Sequence, residues 1–232
     1  MRPFPRFNPQ INISVPQHYA GILEKYRDYS MIASKPDLFF ENMLLMDFIG
    51  RSLPGDFVEC GTWRGGMSCA MMAVGGSNRD YHFFDSFEGL PEPQQLDGQG
   101  AFDYQKNTEA PDYHDNCSAD YGEFANLVNS QETPTNRIHI YKGWFEETLG
   151  KYPGAEIAVL RLDGDWYEST MTCLNRLFPY VSFGGIVLLD DYDAWDGCAR
   201  ATHDFLSKNK CRSRIFRTPL TNIAYIQKID DE

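Results

Sequence analysis

The chain has 232 residues, with 33 Asp and Glu against 21 Lys and Arg and a formal net charge of −12. One domain of this length can bury a sizeable core, whereas two full domains would be cramped. The acidity argues against a nucleic-acid partner and against docking on an anionic membrane, because both attract clustered Lys and Arg, and the lack of an apolar run of about 18 residues argues against a transmembrane helix.

The N-terminal part of the chain predicts an arm followed by two helices. Residues 1–20 are rich in Pro, Asn and Gln and predict an extended arm, and residues 21–35 predict a short helix. Apolar side chains at helical spacing predict a second helix over 37–50, which ends at Gly50. We therefore expect an N-terminal arm and short helix over 1–35 and a single domain over 36–232.

From residue 56 onward, short apolar strands alternate with helices. Strands are predicted at 56–60, 81–85, 137–141, 157–162, 185–189, about 214–218 and 222–228. Helices are predicted at 67–74, about 119–129, 144–152, 168–180 and 197–208. The alternation indicates an α/β fold with helices on both faces of a mostly parallel, seven-stranded Rossmann-like sheet. The last two strands have no helix between them, so we expect the last strand to run antiparallel.

The connection after the second predicted strand is unusually long. Residues 88–116 are rich in Gly, Pro, Asp and Gln and are too long for a simple connection. Such a segment is typically a lid, a binding loop or disordered, and we expect a lid-like loop over about 88–118.

A glycine turn follows the first strand, where ligands of open α/β sheets bind. Gly61 and Gly65 allow the backbone to approach a ligand and open a helix N-terminus. The spacing differs from G-x-G-x-x-G and suits a nucleoside ligand without a pyrophosphate. Asp85, at the end of the second strand, is placed to hold two ribose hydroxyls, although a turn with a helix-capping Asp explains the same residues.

Two pairs of carboxylates follow the fourth and fifth strands. Asp163 and Asp165 end one strand, and Asp190 and Asp191 end the next. If these strands are neighbours, about 4.8 Å apart, the four like charges repel unless a cation is present. A hard divalent cation, Mg²⁺ or Ca²⁺, suits oxygen ligands. Helix capping accounts for one acid per strand but not for two pairs.

Five segments together resemble the macrocin O-methyltransferase family. These enzymes are class I, S-adenosylmethionine-dependent and metal-dependent, and they act on sugar hydroxyls of natural products. The resemblance covers roughly residues 20–228 with gaps, and the acidic segments are its most specific part. The matching segments are PGDFVECGTWRGG at 54–66, FFDSFEGLPEP at 83–93, YKGWFEETL at 141–149, VLRLDGDWYEST at 159–170 and GGIVLLDDYDAWDGC at 184–198.

The resemblance implies roles for individual residues. It places S-adenosyl-L-methionine on Ser30, Met31, Glu59, Gly61, Thr62, Asp85, Ser86, Ser118 and Trp144. It makes Asp163, Asp190 and Asp191 ligands of Mg²⁺ or another hard divalent cation, and Asp165 the catalytic base. The acceptor is then a small molecule or a glycosylated compound. Its identity is open, because residues 94–118 and the N-terminal arm depart from the family.

Two other functions compete with the methyltransferase hypothesis. Asp163-Gly164-Asp165 has the D-x-D form that metal-dependent glycosyltransferases use to hold a nucleotide sugar, but no basic phosphate-binding set lies nearby. A non-catalytic binder or scaffold has no need of four clustered acids. The aromatic residues Trp166, Tyr167, Tyr192 and Trp195 flank the acids, and either core packing or an acceptor pocket accounts for them.

The cysteines and the N-terminus suggest where the protein works. The six cysteines form no CxxC pair, so we interpret them as reduced thiols of a cytoplasmic protein. The N-terminus carries basic residues without the apolar segment of a secretory signal. The arm over 1–20 could cross to a neighbouring copy, so we expect a homo-oligomer.

Overall fold

The computed structural model describes residues 17–111 and 113–229. The strands are β1 (Asp56–Cys60), β2 (Tyr81–Asp85), β3 (Ile138–Lys142), β4 (Ile157–Leu162), β5 (Val181–Leu189), β6 (Arg214–Arg217) and β7 (Ala224–Gln227). The helices are α1 (Gln17–Tyr26), α2 (Pro36–Ser52), α3 (Gly66–Gly75), α4 (Gly98–Lys106), α5 (Tyr121–Asn129), α6 (Phe145–Thr148), α7 (Tyr167–Leu177) and α8 (Asp196–Lys208). In this part of the chain, no helix has both the length and the apolar character to cross a bilayer.

The strands form a seven-stranded sheet in the order β3-β2-β1-β4-β5-β7-β6. The pairs from β3 through β5 are parallel, and β7 runs antiparallel to both β5 and β6. The prediction of a mostly parallel α/β sheet with an antiparallel last strand is therefore confirmed. The predicted neighbourhood of the two acid-tipped strands is also confirmed, because Leu162 of β4 pairs with Leu189 of β5.

Helices cover both faces of the sheet. Side chains alternate along a strand, so Phe57 and Val58 enter two different cores. The Phe57 core packs against α1, α2, α3 and α5, and the Val58 core packs against α6, α7 and α8. Parallel strands buried on both faces carry continuous apolar runs. These two layers leave the carboxyl ends of the strands free to form a site.

The N-terminal helix differs from the prediction. The sequence suggested a helix over 21–35, whereas α1 spans Gln17–Tyr26 and short 3-10 turns follow at 27–29 and 31–34. Tyr19, Leu23 and Tyr26 recur at helical spacing and are buried, which moves the helix toward the N-terminus. Ser30 has an extended backbone and separates the two turns. Residues 1–16 of the predicted arm lie outside the described residues.

The segment predicted as a lid-like loop contains regular structure. Helix α4 occupies its middle, and Ala101 on that helix is fully buried. Gly and Gln in this stretch have weak or ordinary helix propensity, so tertiary packing rather than local sequence specifies the helix. Further along, Asp115, Asn116 and Cys117 all have positive φ, at 50°, 52° and 61°. We call residues 86–118 the cover segment below.

Candidate active site

A cavity of about 330 Å³ lies beyond the carboxyl ends of β1, β2, β4 and β5. This is the edge at which ligands of open α/β sheets bind. Every predicted site residue except Ser118 lines the cavity. The Ser118 hydroxyl instead donates to Asp115 at 2.7 Å, and its carbonyl accepts from the indole N–H of Trp63 at 3.2 Å. Ser118 therefore contacts the glycine turn through its backbone.

The glycine turn is shaped by two very close backbone approaches. Gly61 has φ +85°, and a Cβ there would lie 1.7 Å from the carbonyl oxygen of Asp163. A Cβ on Gly66 would lie 2.6 Å from the Cβ of Ser30. Glycine has no Cβ, so it tolerates both the positive φ and the close approach of a neighbouring segment. The turn that begins α3 thus sits directly against the acidic end of β4 on one side and against Ser30 on the other.

Asp85 ties the glycine turn to the end of β2. Its Oδ2 accepts hydrogen bonds from the backbone N–H groups of Thr62 at 2.6 Å and Trp63 at 3.0 Å. Its Oδ1 accepts from the backbone N–H of Phe87 at 2.6 Å. A carboxylate has about four acceptor positions, so part of its capacity goes to the turn itself. The predicted contact with ribose hydroxyls stays a prediction, and the structure adds a positioning role for the same residue.

The remaining predicted donor-binding residues line the cavity from different parts of the chain. Ser86 is buried, and its hydroxyl oxygen accepts from the backbone N–H of Glu88 at 3.1 Å. Met31 opens the second 3-10 turn, and Trp144 directly precedes α6. Three separate loops therefore converge on the volume in front of the glycine turn.

The four predicted acids divide into a cluster of three and one separate residue. One carboxylate oxygen from each of Asp163, Asp165 and Asp191 lies within 4.8 Å of the others. Asp190 lines the same cavity, but its Oδ1 lies 2.7 Å from the Nη2 atom of Arg161. The sequence predicted Asp190 rather than Asp165 as a cation ligand. The geometry groups Asp165 with the potential ligands and pairs Asp190 with the guanidinium.

The acids of this cluster disfavour their own ionisation when no cation is near. Burial and the neighbouring Asp163 raise the pKa of Asp165 to about 8. Burial, and then the charge of Asp165, also raises the pKa of Asp191 well above its usual range. Like charges at this spacing destabilise one another. A donor set of clustered carboxylate oxygens is what Mg²⁺ and Ca²⁺ prefer, so the residues present fit a hard divalent cation.

Asp165 is held in an unusual conformation. Its φ is +58°, a region that non-glycine residues seldom occupy. Its backbone N–H donates to Asp191 at 2.9 Å, and the indole N–H of Trp195 donates to its Oδ1 at 2.8 Å. Such strain persists where surrounding contacts fix it, and it is concentrated at functional sites. The second carboxylate oxygen of Asp165 has no such indole donor.

Arg161 is the site residue that sequence reasoning missed. It lies in β4 and is buried, and its guanidinium reaches Glu59, Asp163 and Asp190. Burial raises the pKa of Glu59 to about 7, against the opposing effect of the Arg161 charge. The signal was present in the sequence, because one arginine interrupts the otherwise apolar strand 157–162. A buried arginine needs anionic partners, and the nearest acids are those of the predicted site.

The cover segment closes one side of the cavity. Leu90, Pro91, Tyr104 and Cys117 from this segment line it together with Trp195. The Tyr104 and Trp195 rings meet edge to face at 5.5 Å. The sequence left open whether the aromatic residues near the acids pack in the core or line a pocket. Trp195 lines the cavity, whereas Trp166 is buried in the protein.

Asp97 fastens the cover segment to the helices behind it. Its Oδ2 accepts from the backbone N–H of Gln94, and its Oδ1 accepts from the N–H of Tyr167, both at 2.6 Å. The second bond satisfies a free N–H at the start of α7, where a negative charge is favourable. The indole N–H of Trp166 also donates to the carbonyl of Pro91 at 2.9 Å. The cover segment is thus packed on α7 by defined polar contacts.

We expect Gly197→Ala to loosen this attachment. A Cβ at Gly197 would lie 2.2 Å from Oδ1 of Asp97 and 2.7 Å from the backbone nitrogen of Tyr167. Overpacking of this kind costs about 1–3 kcal/mol of the free energy of unfolding, measured by urea denaturation. Gly100→Ala in α4 is the matched control, since its nearest atom outside the helix is 3.9 Å away. Equal stability of the two variants would contradict the packing role of Gly197.

The chain is similar to proteins of known family. The family model described as macrocin O-methyltransferase (TylF) matches residues 27–227. The chain belongs to the macrocin O-methyltransferase family. The matched range contains every predicted site residue, from Ser30 to Asp191. The predicted resemblance is therefore confirmed, and the sheet is that of a class I methyltransferase.

Named relatives of this macrocin O-methyltransferase family member act on natural products. The chain is 36% identical over 157 residues to the 8-demethyl-8-(2,3-dimethoxy-alpha-L-rhamnosyl)-tetracenomycin-C 4'-O-methyltransferase of Streptomyces olivaceus, covering 66% of this chain and 58% of that protein. It is 33% identical over 167 residues to the demethyldecarbamoylnovobiocin O-methyltransferase of Streptomyces niveus, covering 70% and 62%. The chain thus spans about three fifths of the length of these relatives.

Solved structures show the same fold. The O-methyltransferase NovP superposes with a TM-score of 0.68 at 29% identity, over 87% of this chain and 83% of that one. The calicheamicin methyltransferase CalS11 superposes with a TM-score of 0.64 at 22% identity, over 98% and 96%, which supports the fold alone. The glycosyltransferase alternative finds no support among these proteins, since all of them are named as methyltransferases.

Proposed function

We propose that this protein is an S-adenosylmethionine-dependent O-methyltransferase that acts on a hydroxyl of a sugar or sugar-containing natural product and uses Mg²⁺ or another hard divalent cation. The observation that carries the proposal is the direct contact between the glycine turn and the acidic cluster. The absent Cβ of Gly61 leaves room for the carbonyl of Asp163. A donor bound at the turn and an acceptor bound at the acids would then adjoin in one cavity.

The donor half of the cavity is built from the glycine turn and the loops around it. Gly61 and Thr62 of the turn, Asp85 at the end of β2, and Ser30 and Met31 from the N-terminal turns all line the cavity. S-adenosylmethionine supplies a methyl group already activated by its sulfonium. These residues would therefore bind and orient the donor rather than activate it, and alignment supplies much of the rate acceleration.

The acceptor half needs a base and a means of orienting a weak nucleophile. A sugar hydroxyl ionises far above neutral pH, so it must lose its proton as it attacks the methyl group. A divalent cation, if held by the acids, would lower the pKa of a coordinated hydroxyl and orient it. Asp163, Asp190 and Asp191 are proposed to hold that cation, as the family resemblance implies, and Asp165 is proposed to take the proton on a carboxylate oxygen.

The cover segment and Trp195 would exclude water and shape the acceptor pocket. Tyr104, Trp195 and Leu90 present aromatic and apolar surface to the cavity. Aromatic faces pack well against the C–H face of a sugar ring, and bulky side chains limit the free volume for water. A small-molecule or glycosylated acceptor fits this lining. The proposed homo-oligomer is inferred from the arm over 1–20, and the proposed cytoplasmic location is inferred from the spacing of the cysteines.

The test is methyl transfer by the purified full chain. S-adenosylmethionine is incubated with a panel of rhamnosylated and other glycosylated natural products, and the products are identified by mass spectrometry. We expect S-adenosylhomocysteine and a product heavier by one methylene, both lost with EDTA and restored with MgCl₂. Calorimetry with S-adenosylhomocysteine and with a nucleotide sugar runs in parallel. Binding of the nucleotide sugar alone would favour the glycosyltransferase, and donor binding without transfer to any acceptor would favour a non-catalytic binder.

A further inference from the structure

One buried guanidinium joins three strands under the cavity. Nη1 of Arg161 lies 3.0 Å from Glu59 and 2.8 Å from Asp163, and Nη2 lies 2.7 Å from Asp190. These partners come from β1 and from the ends of β4 and β5. The Arg161 side chain is 2% exposed. Charged groups this deep in a protein are strongly coupled, and removing one partner leaves the others uncompensated.

The contacts divide the carboxylates into two groups that share Asp163. One oxygen of Asp163 and one of Asp190 point at Arg161. Oxygens of Asp163, Asp165 and Asp191 approach one another within 4.8 Å instead. The planar fork of arginine can hold several oxygens in fixed directions, which a lysine cannot do. Asp163 belongs to both groups, and one of its oxygens is bound by the guanidinium.

We propose that Arg161 is a positioning residue that acts as an internal counter-ion and holds Asp163 and Asp190 in place before a divalent cation binds. This inference rests on the proposed function, because it assumes that a cation binds at these acids. The wild-type site is then already assembled without the ion. Without Arg161, the carboxylates repel one another, and the fold comes to depend on the divalent cation for the missing positive charge.

The test compares thermal stability with MgCl₂ and with EDTA. A ligand that binds the native state raises the melting temperature by an amount that grows with the logarithm of its concentration divided by its Kd. The variants are Arg161→Met, which removes the charge, and Arg161→Lys, which keeps the charge without the fork. Arg217→Met is the matched control, because Arg217 also pairs with an aspartate, Asp193, but at the surface and outside the cavity.

We expect the Mg²⁺-induced rise in melting temperature to be at least about threefold larger in Arg161→Met than in the wild type, which corresponds to tighter ion binding at a more negative site. Arg161→Lys should fall between them, and Arg217→Met should match the wild type. At saturating Mg²⁺, Arg161→Met should also show a reduced kcat. A rise equal to that of the wild type would overturn the proposal, since a purely structural salt bridge predicts equal shifts.

Two further measurements separate the possible failures. If Arg161→Met does not fold, it is replaced by the double variant Glu59→Gln with Arg161→Met, in which a buried partner charge is removed together with the guanidinium. The melting temperatures with MgCl₂ and with EDTA are then compared for this double variant and for Arg161→Lys. Calorimetric titration of the wild type with MgCl₂ tests the proposed function directly. Absence of Mg²⁺ binding in the wild type would refute the cation site and with it this inference. Mg²⁺ binding with equal shifts would refute the role of Arg161 alone.

Discussion

Asp165→Asn is expected to keep donor binding and to lose most of its turnover. The amide has nearly the shape of the carboxylate, and its oxygen can still accept the hydrogen bond from the Trp195 indole that now reaches Oδ1 at 2.8 Å. It cannot take a proton from an attacking hydroxyl. Removal of a general base costs about 10²–10⁴-fold in rate. The measurement is kcat with an acceptor that the wild-type enzyme methylates, together with calorimetric binding of S-adenosylhomocysteine.

Asp193→Asn is the matched control for this variant. Asp193 lies two residues after Asp191 but points to the surface, where it pairs with Arg217. Exposed ion pairs contribute little to stability, so this change should leave both kcat and donor affinity at wild-type values. If Asp165→Asn also retained its turnover, Asp165 could not be the base, and its pairing with Trp195 would be structural only.

Gly61→Ala is expected to disrupt the donor half of the cavity. The new methyl group would lie 1.7 Å from the carbonyl oxygen of Asp163, which is a backbone atom and cannot rotate away. The end of β4 must move, and the hydrogen bond from the N–H of Asp163 to the carbonyl of Cys60, now 2.9 Å, would break. Donor affinity should fall at least about tenfold, equivalent to 1.4 kcal/mol, measured by titration with S-adenosylhomocysteine.

Gly76→Ala separates the collision from backbone strain. Gly76 also has a positive φ, +79°, but among the described residues, its chain neighbours aside, no atom lies within 4 Å of its missing Cβ. Strain of this type costs about 1–3 kcal/mol of the free energy of unfolding in either variant. Only Gly61→Ala should also weaken the binding of the donor. A loss of donor affinity that is equal in both variants would mean that the contact between the turn and Asp163 does not position the donor.

The polar residues of this site were predictable because they stand at strand ends. Strand and helix alternation fixes a parallel sheet, and a parallel sheet collects its carboxyl ends on one edge. That reasoning predicts that Gly61, Asp85, Asp163 and Asp190 lie close together, although it gives no distances between them. In the structure all four line one cavity. The resemblance then added Ser30 and Met31, which no sheet rule could locate.

Contacts between distant segments were beyond local sequence patterns. The role of Arg161 depends on the lateral register that sets β4 beside β1, in which Glu59 and Arg161 are paired. Asp97 meets the N-terminus of α7 across 70 positions of the chain. Helix α4 forms on residues of ordinary propensity because its buried face has a partner. Each of these features comes from tertiary packing, which periodicity and turn residues do not encode.

The attachment of the cover segment has an evolutionary consequence. Its lining residues Tyr104 and Cys117 face the acceptor half, while its anchor Asp97 is fixed to α7 and lies away from the glycine turn. Substitutions at Tyr104 can therefore change the lining without removing the hydrogen bond that Asp97 makes to α7. In the proposed methyltransferase, a scaffold divided in this way would let the acceptor pocket change while the frame that holds it is kept.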